Sequence, residues 1–182
     1  LYTYAYLCFM DRKVDYIVVG LGLAGIAFCD KLLENGKTFV VFENHSQTHS
    51  LVAGGMYNHV ILKRFTPAWN GHVQLQYAMP KYEILGEKLN INFDVKFDTK
   101  KAFNSIQDQN NWFMALDKPN MAVYMQSEIE KIQIEGVICN HGFGTLKGTG
   151  RLKTEVLIEA YKDYLRNGDM LLEKEFVYGD LD

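Results

Sequence analysis

The stretch VDYIVVGLGLAGIAFCDKLLENGKTFVVFE, residues 14–43, constrains the fold more than anything else in the chain. YIVVG is an apolar, β-branched run that reads as a strand buried on both faces. It leads directly into GLGLAG, which sets Gly20, Gly22 and Gly25 in the spacing G-x-G-x-x-G. A helical pattern follows, with Gly25, Phe28, Leu32 and Gly36 on one face and Gly36 as its stop. KTFVVFE then reads as a second apolar strand ending in the acid Glu43. Strand, glycine trio, helix, strand and acid in this order describe a βαβ unit that takes a dinucleotide. Gly20 permits the tight turn, Gly22 lets backbone approach a pyrophosphate, and Gly25 lets helix and strand pack closely. N–H groups near Leu23 and Ala24 would face the phosphates, and the Glu43 carboxylate would accept from ribose hydroxyls. The alternative is a βαβ unit without a ligand.

Composition narrows the partners. Of 182 residues, 48% are hydrophobic and 13% aromatic, enough for a packed core. A net charge of -3 gives no general pull toward nucleic acid or anionic membranes. The cysteines Cys8, Cys29 and Cys139 are odd in number and far apart, which argues against a disulfide framework and for a reducing compartment. Cys29 falls in the first helical pattern, where a buried, inert thiol is expected. The opening LYTYAYLCFMDRK is too short to span a bilayer and lacks the features of a signal peptide. Residues 1–13 are expected to form a disordered leader, no membrane association is expected, and the location is expected to be cytoplasmic.

The loop NHSQTHSLVAGGMYN, residues 44–58, is built from small residues that let backbone pass close to a bulky flat ring. With this loop the sequence resembles the FAD-dependent amine and amino-acid oxidases, the group of D-amino-acid oxidase, glycine oxidase and sarcosine oxidase. Their pattern is a glycine fingerprint, a strand ending in Glu, and a Ser-containing loop running into Ala-Gly-Gly. A second block, GFGTLKGTGRLKTEVLIEAYKDYLRNGDMLLEKEFV, resembles the family's return from substrate domain to flavin domain. There a glycine turn precedes a long helix and a strand. Thr154 to Arg166 fits that helix, with Val156, Leu157, Ala160, Tyr161, Tyr164 and Leu165 as its apolar stripe, Glu155 and Arg166 at its charged ends, and Gly168 as its stop.

The resemblance implies an FAD cofactor held by Gly20, Gly22, Leu23, Ala24, Gly25, Glu43, Asn44, Ser50, Ala53, Gly54, Gly55 and Met56, with the Val177 backbone on the adenine. It implies non-covalent attachment, since Leu51 stands where some members carry a His bonded to flavin. Lys63 or Arg64 is either a positive charge beside the flavin or a basic surface pair. The implied reaction is hydride transfer from a CH–NH substrate, a small amine or amino acid, to flavin N5. The electron acceptor and the catalytic residues are not identified, and the substrate anchors are expected in a C-terminal half.

Between these blocks, residues 70–89 read as a helix interrupted or kinked near Pro80. INFDVKFDTKKAFNS alternates Phe93, Val95 and Phe97 as a half-buried strand, SIQDQNNWFMALD reads as a short helix, and EGVICNHGFGTL as another strand. The expected architecture is α/β, a Rossmann-like FAD-binding βαβ sheet with an inserted, partly complete antiparallel α+β substrate domain. Its parts are the leader 1–13, an FAD-binding segment 14–65, a partial substrate-domain insert 66–147 and a return to the FAD-binding domain over 148–182. The chain reads as an N-terminal portion. No metal is expected, because Glu43, His45 and His49 lie in a loop and not on a helix face. GTLKGTGRLK lacks the G-K-[ST] order of a phosphate loop. Two other readings remain: the flavin domain of a tRNA wobble-uridine modification protein, and a non-catalytic FAD-binding subunit completed by a partner chain. A nicotinamide dehydrogenase would leave the loop from Ser50 to Gly55 without a task.

Overall fold

Apolar runs that are parallel in one part of the chain and antiparallel in another give a mixed α/β structure. The computed structural model describes residues 13–44, 46 and 49–181. In chain order its elements begin with β1 (Tyr16–Val19), α1 (Leu23–Glu34), β2 (Phe39–Phe42) and α2 (His49–Val52). Then come β3 (Met56–Tyr57), β4 (Val60–Ile61), β5 (Thr66–Pro67), α3 (Gly71–Leu89), β6 (Asp94–Ala102) and α4 (Ile106–Leu116). The last are β7 (Met125–Glu130), β8 (Phe143–Leu152), α5 (Thr154–Asn167) and β9 (Leu171–Leu172), followed by a 3₁₀ turn at Tyr178–Leu181. The chain divides into two compact units: one runs up to Ala53 and resumes at Thr154, the other is Gly54–Lys153.

In the first unit β1, β2 and β9 form a parallel sheet in the order β1-β2-β9. Phe39, Val40 and Val41 of β2 are all buried, as suits a central parallel strand. The expectation that β1 is buried on both faces is corrected. Only its Val18 is buried, and Val19 is 61% exposed, because β1 has β2 on one side and lies at the sheet edge. The expected face of α1 also shifts: Ile26, Cys29 and Leu32 point inward, while Phe28 is exposed and meets the Tyr16 ring edge-on at 6.0 Å. Burial and the neighbouring Asp30 push the Cys29 thiol up to about 12, so it is inert at neutral pH. Gly36, with φ +62, ends α1 as read. On α5 the buried set is Thr154, Leu157, Ile158, Tyr161, Lys162 and Leu165, and the helix packs against α1 and α2. Lys162 keeps its ammonium 3.1 Å from Glu159.

The second unit is organised by β8, which pairs antiparallel with β3, β6 and β7. Residues 143–152, read partly as a strand from 135 and partly as a glycine turn, form one strand. The strand expected from Glu135 starts only at Phe143, since Ile134 and Val137 are bridged across a turn at Gly136. Phe93 is buried just ahead of β6, whereas Val95 and Phe97 are exposed, so the alternation did not mark a half-buried face. α3 continues through Pro80 without a break. The lost hydrogen bond falls on the carbonyl of exposed Gln76, which water can satisfy. α4 forms as read, capped by Ser105, whose hydroxyl accepts from the Asp108 N–H at 3.1 Å.

Trp112 of α4 fixes the core of this unit. It is fully buried, meets the Phe65 and Phe103 rings edge-on, and donates its indole N–H to the Gln126 carbonyl at 2.9 Å. Around it lie Val60, Ala115, Met121, Met125 and Leu146. Trp112→Ala is expected to destabilise this unit by about 3–5 kcal/mol, read as a lower urea midpoint by circular dichroism.

Candidate functional site

The first βα turn is held at both ends by β2. Gly20 has φ +88, a region a side chain would strain, and its N–H donates to the Phe42 carbonyl at 2.8 Å. The next N–H, of buried Leu21, donates to Glu43 Oε2 at 2.6 Å, and Glu43 itself is only 9% exposed. A methyl group placed at Gly25 would lie 2.4 Å from the Gly20 carbonyl oxygen, so the close approach of α1 to the turn requires glycine there. Gly22 precedes α1 with no side-chain cap and no acid in the first turn, which leaves the helix N–H groups directed at this turn. The Ser50 hydroxyl comes within 3.0 Å of where a Gly22 side chain would start.

The return segment completes the site. Pairing of β2 with β9, continued by the Glu43 N–H donating to the Leu172 carbonyl at 3.0 Å, brings the residues after Leu172 beside Phe42 and Glu43. The Phe176 ring meets Phe42 edge-on at 5.2 Å, and the Lys174 ammonium lies 5.4 Å from the centre of the Phe42 ring. Together with the glycine turn and the loop after β2 they enclose a cavity of about 290 Å³. A buried carboxylate, open helix N–H groups and aromatic walls can bind a diol, an anion and a flat base respectively.

Of the residues expected to hold a dinucleotide, Gly20, Gly22, Glu43, Asn44 and Ser50 line this cavity. Leu23, Ala24 and Gly25 form the first turn of α1. Val177 is exposed, one residue beyond the lining Phe176. Ala53 ends the first unit's opening segment, whereas Gly54, Gly55 and Met56 belong to the second unit. The structure thus divides the chain at Ala53/Gly54 and Lys153/Thr154, where the sequence reading put the joins at 65/66 and 147/148. Met56 and Tyr57 pair with Arg151 and Gly150 of β8, which ties both segments to the antiparallel sheet. Lys63 and Arg64 are exposed in the turn between β4 and β5. His45 and the side chain of Leu51 lie outside the described residues; His49 lines the cavity. Among the described residues no cluster of His, Cys, Asp and Glu could hold a metal, and no helix is long and apolar enough to cross a membrane. Sequence reasoning missed Phe42, Lys174 and Phe176. The available signal was the short LL strand after α5, whose pairing with β2 delivers Lys174 and Phe176.

A second cavity, of about 770 Å³, lies within the unit Gly54–Lys153, lined by Tyr57, His59, Leu75, Met79, Phe97 and Tyr124 among others. The His59 and Tyr124 rings stack at 3.6 Å and 12°, and the Tyr124 hydroxyl is hydrogen-bonded to His72 Nδ1. Nδ1 of His59 is buried with no hydrogen-bond partner among the described residues. Burial first, then the charge of His72, lower the His59 pKa from 6.5, against a hydrogen bond with the Gly148 backbone that raises it.

No family model matches the sequence. Solved structures similar in fold include the following three. L-amino acid deaminase from Proteus vulgaris has a TM-score of 0.65 at 16% identity, matching 86% of this chain and 38% of its own. Glycine oxidase from Geobacillus kaustophilus has 0.61 at 19%, over 87% of this chain and 45% of its own. NikD, an unusual amino acid oxidase essential for nikkomycin biosynthesis, has 0.60 at 13%, over 87% and 42%. At these identities the likeness establishes the fold: this chain has the mixed α/β fold of those enzymes, over less than half of their length.

The lowered pKa of His59 has a sign that can be checked. The folded chain favours the neutral ring, so the unfolded chain takes up the proton first as pH falls. His59 therefore costs nothing well above pH ~6.5 and withdraws stability as pH drops below it toward the lowered value. The urea midpoint of the wild type is expected to fall more between pH 7.5 and 5 than that of His59→Gln.

Proposed function

We propose that this chain is the FAD-binding portion of an oxidoreductase of the amine and amino-acid oxidase type, with FAD held non-covalently. The observation that carries the proposal is the buried Glu43 carboxylate, bound to the glycine turn and facing the cavity beside the open end of α1. In this reading Glu43 takes the ribose hydroxyls, the first N–H groups of α1 take the pyrophosphate, and Ser50 closes over Gly22. A bound flavin supplies a two-electron acceptor for the carbon that bears the amine. What the protein adds is orientation and exclusion of water around a neutral amine. The similar structures, an L-amino acid deaminase, a glycine oxidase and an amino acid oxidase, support an amino acid as the substrate class.

A second element of the reading rests on β1. Among the described residues β1 pairs only with β2, which leaves its other backbone edge open, and Ile17 and Val19 are exposed on one of its faces; both favour association with further polypeptide. Complete activity is therefore assigned to an assembly in which additional strands, of the same or a partner chain, cover this edge.

The test is to incubate the purified chain with FAD, remove free cofactor by gel filtration and record the spectrum. Bands near ~375 and ~450 nm carried with the protein are expected, weak in occupancy, with NAD not retained. Amino-acid-dependent peroxide from the chain alone is expected near background. Gly25→Ala, which drives a methyl group into the Gly20 carbonyl, should lower FAD retention about ten-fold or more, the effect of ~1–3 kcal/mol of overpacking. Retention of NAD in preference to FAD would sink the proposal.

A further inference from the structure

α3 carries apolar side chains on two sides. Its inner side meets its own unit: Gly71 and Leu85 are buried, and Tyr82 meets Phe93 edge-on at 5.8 Å. A helix covered on one side ordinarily keeps polar residues on the other. Here the side away from Leu85 holds Val73, Tyr77, Pro80 and Ile84 instead. Val73, Tyr77 and Ile84 are 57%, 65% and 55% exposed, so no described residue covers them. Single exposed apolar residues are ordinary. These four recur at intervals of four, three and four, which stacks them along one line of the helix. That is the spacing of a seam between paired helices. Trp69, two residues before α3, is 86% exposed as well.

We propose that this stripe is a self-association surface, on which α3 of a second copy of the chain lies antiparallel. The residues flanking the stripe name the occupant. Gln74 and Lys81 lie on one flank, Gln76 and Glu83 on the other. Two antiparallel helices bring like flanks together. With Val73 against Ile84 and Tyr77 against Pro80 of the second copy, Lys81 faces Gln74 and Glu83 faces Gln76. No like charges meet. Sliding one copy by a heptad would set Lys81 against Lys81 and Glu83 against Glu83, which fixes the register. Every contact then forms twice about a two-fold axis, the closed symmetry that one patch satisfies by itself. Four side chains from each copy make a small interface, so the pair is weak. The inference goes beyond the flavin reading and holds with or without cofactor.

Analytical ultracentrifugation of the full chain from ~5 to ~500 µM, a range that brackets a weak dimer, tests this. The mass should rise from that of one chain toward that of two. Tyr77→Glu, on the exposed side, should stay monomeric throughout with an unchanged circular dichroism spectrum, while Tyr77→Leu should still dimerise. Gln74→Glu sets an acid against Lys81 of the second copy at two symmetric points, and should tighten the pair roughly three- to ten-fold. That gain should fade in high salt, and Gln74→Lys should loosen the pair. A wild type that stays monomeric overturns the inference. A dimer that Tyr77→Glu leaves intact overturns it too, and moves association to another surface such as the β1 edge. If Tyr77→Glu breaks the pair but both Gln74 variants match the wild type, the antiparallel register is overturned.

Discussion

A single hydrogen bond, from the Leu21 N–H to the Glu43 carboxylate at 2.6 Å, ties the glycine turn to the end of β2. A carboxylate with so little exposure to water would be costly without donors of its own, and charged acceptors make the stronger hydrogen bonds. The bond has a neighbour in the Gly20 N–H on the Phe42 carbonyl. Between them they set where α1 begins, and so where its open N–H groups point. The Gly25 contact then brings the helix against the turn, at a distance no larger residue allows.

The rest of the first unit follows from β2. As the middle strand it buries Phe39, Val40 and Val41, and its other edge receives β9. α5 makes that pairing possible: its inward residues Leu157, Tyr161 and Leu165 dock it before the chain turns into Leu171. The cavity at the glycine turn is therefore closed by residues about 130 positions beyond the motif that opens it (Phe42 to Lys174 and Phe176). The opposite edge, at β1, has no such cover from the described residues, and its Ile17 and Val19 stay exposed.

The second unit obeys a different rule. Its sheet is antiparallel around β8, and its core gathers on Trp112. The stretch YNHVILKRF, whose Lys63 or Arg64 the sequence offers as either a charge beside the flavin or a basic surface pair, contributes three quite different things. His59 stacks on Tyr124 beside a cavity, Val60 enters the core, and Lys63 with Arg64 stay exposed in a turn. The alternation of Phe93, Val95 and Phe97 misled because only Phe93 finds a covering helix, packing against Tyr82 of α3. A period-two pattern states which side chains share a face, not whether anything covers it.

The sequence by itself determined the βαβ unit, its glycine positions and its closing acid, because these depend on backbone geometry and on residues close in the chain. It also determined α4, with its Ser105 cap, and α5, and it located α3 without its unbroken passage through Pro80. Tertiary structure decided which strand of the parallel sheet is central, since burial depends on neighbours that no local pattern names. It decided that Gly54 to Tyr57 belong with the antiparallel sheet, through their pairing with β8. And it decided that Phe42, Lys174 and Phe176 share one cavity with Glu43, because the strand pattern after α5 does not name its partner and only pairing with the β2 edge sets what lies beside it.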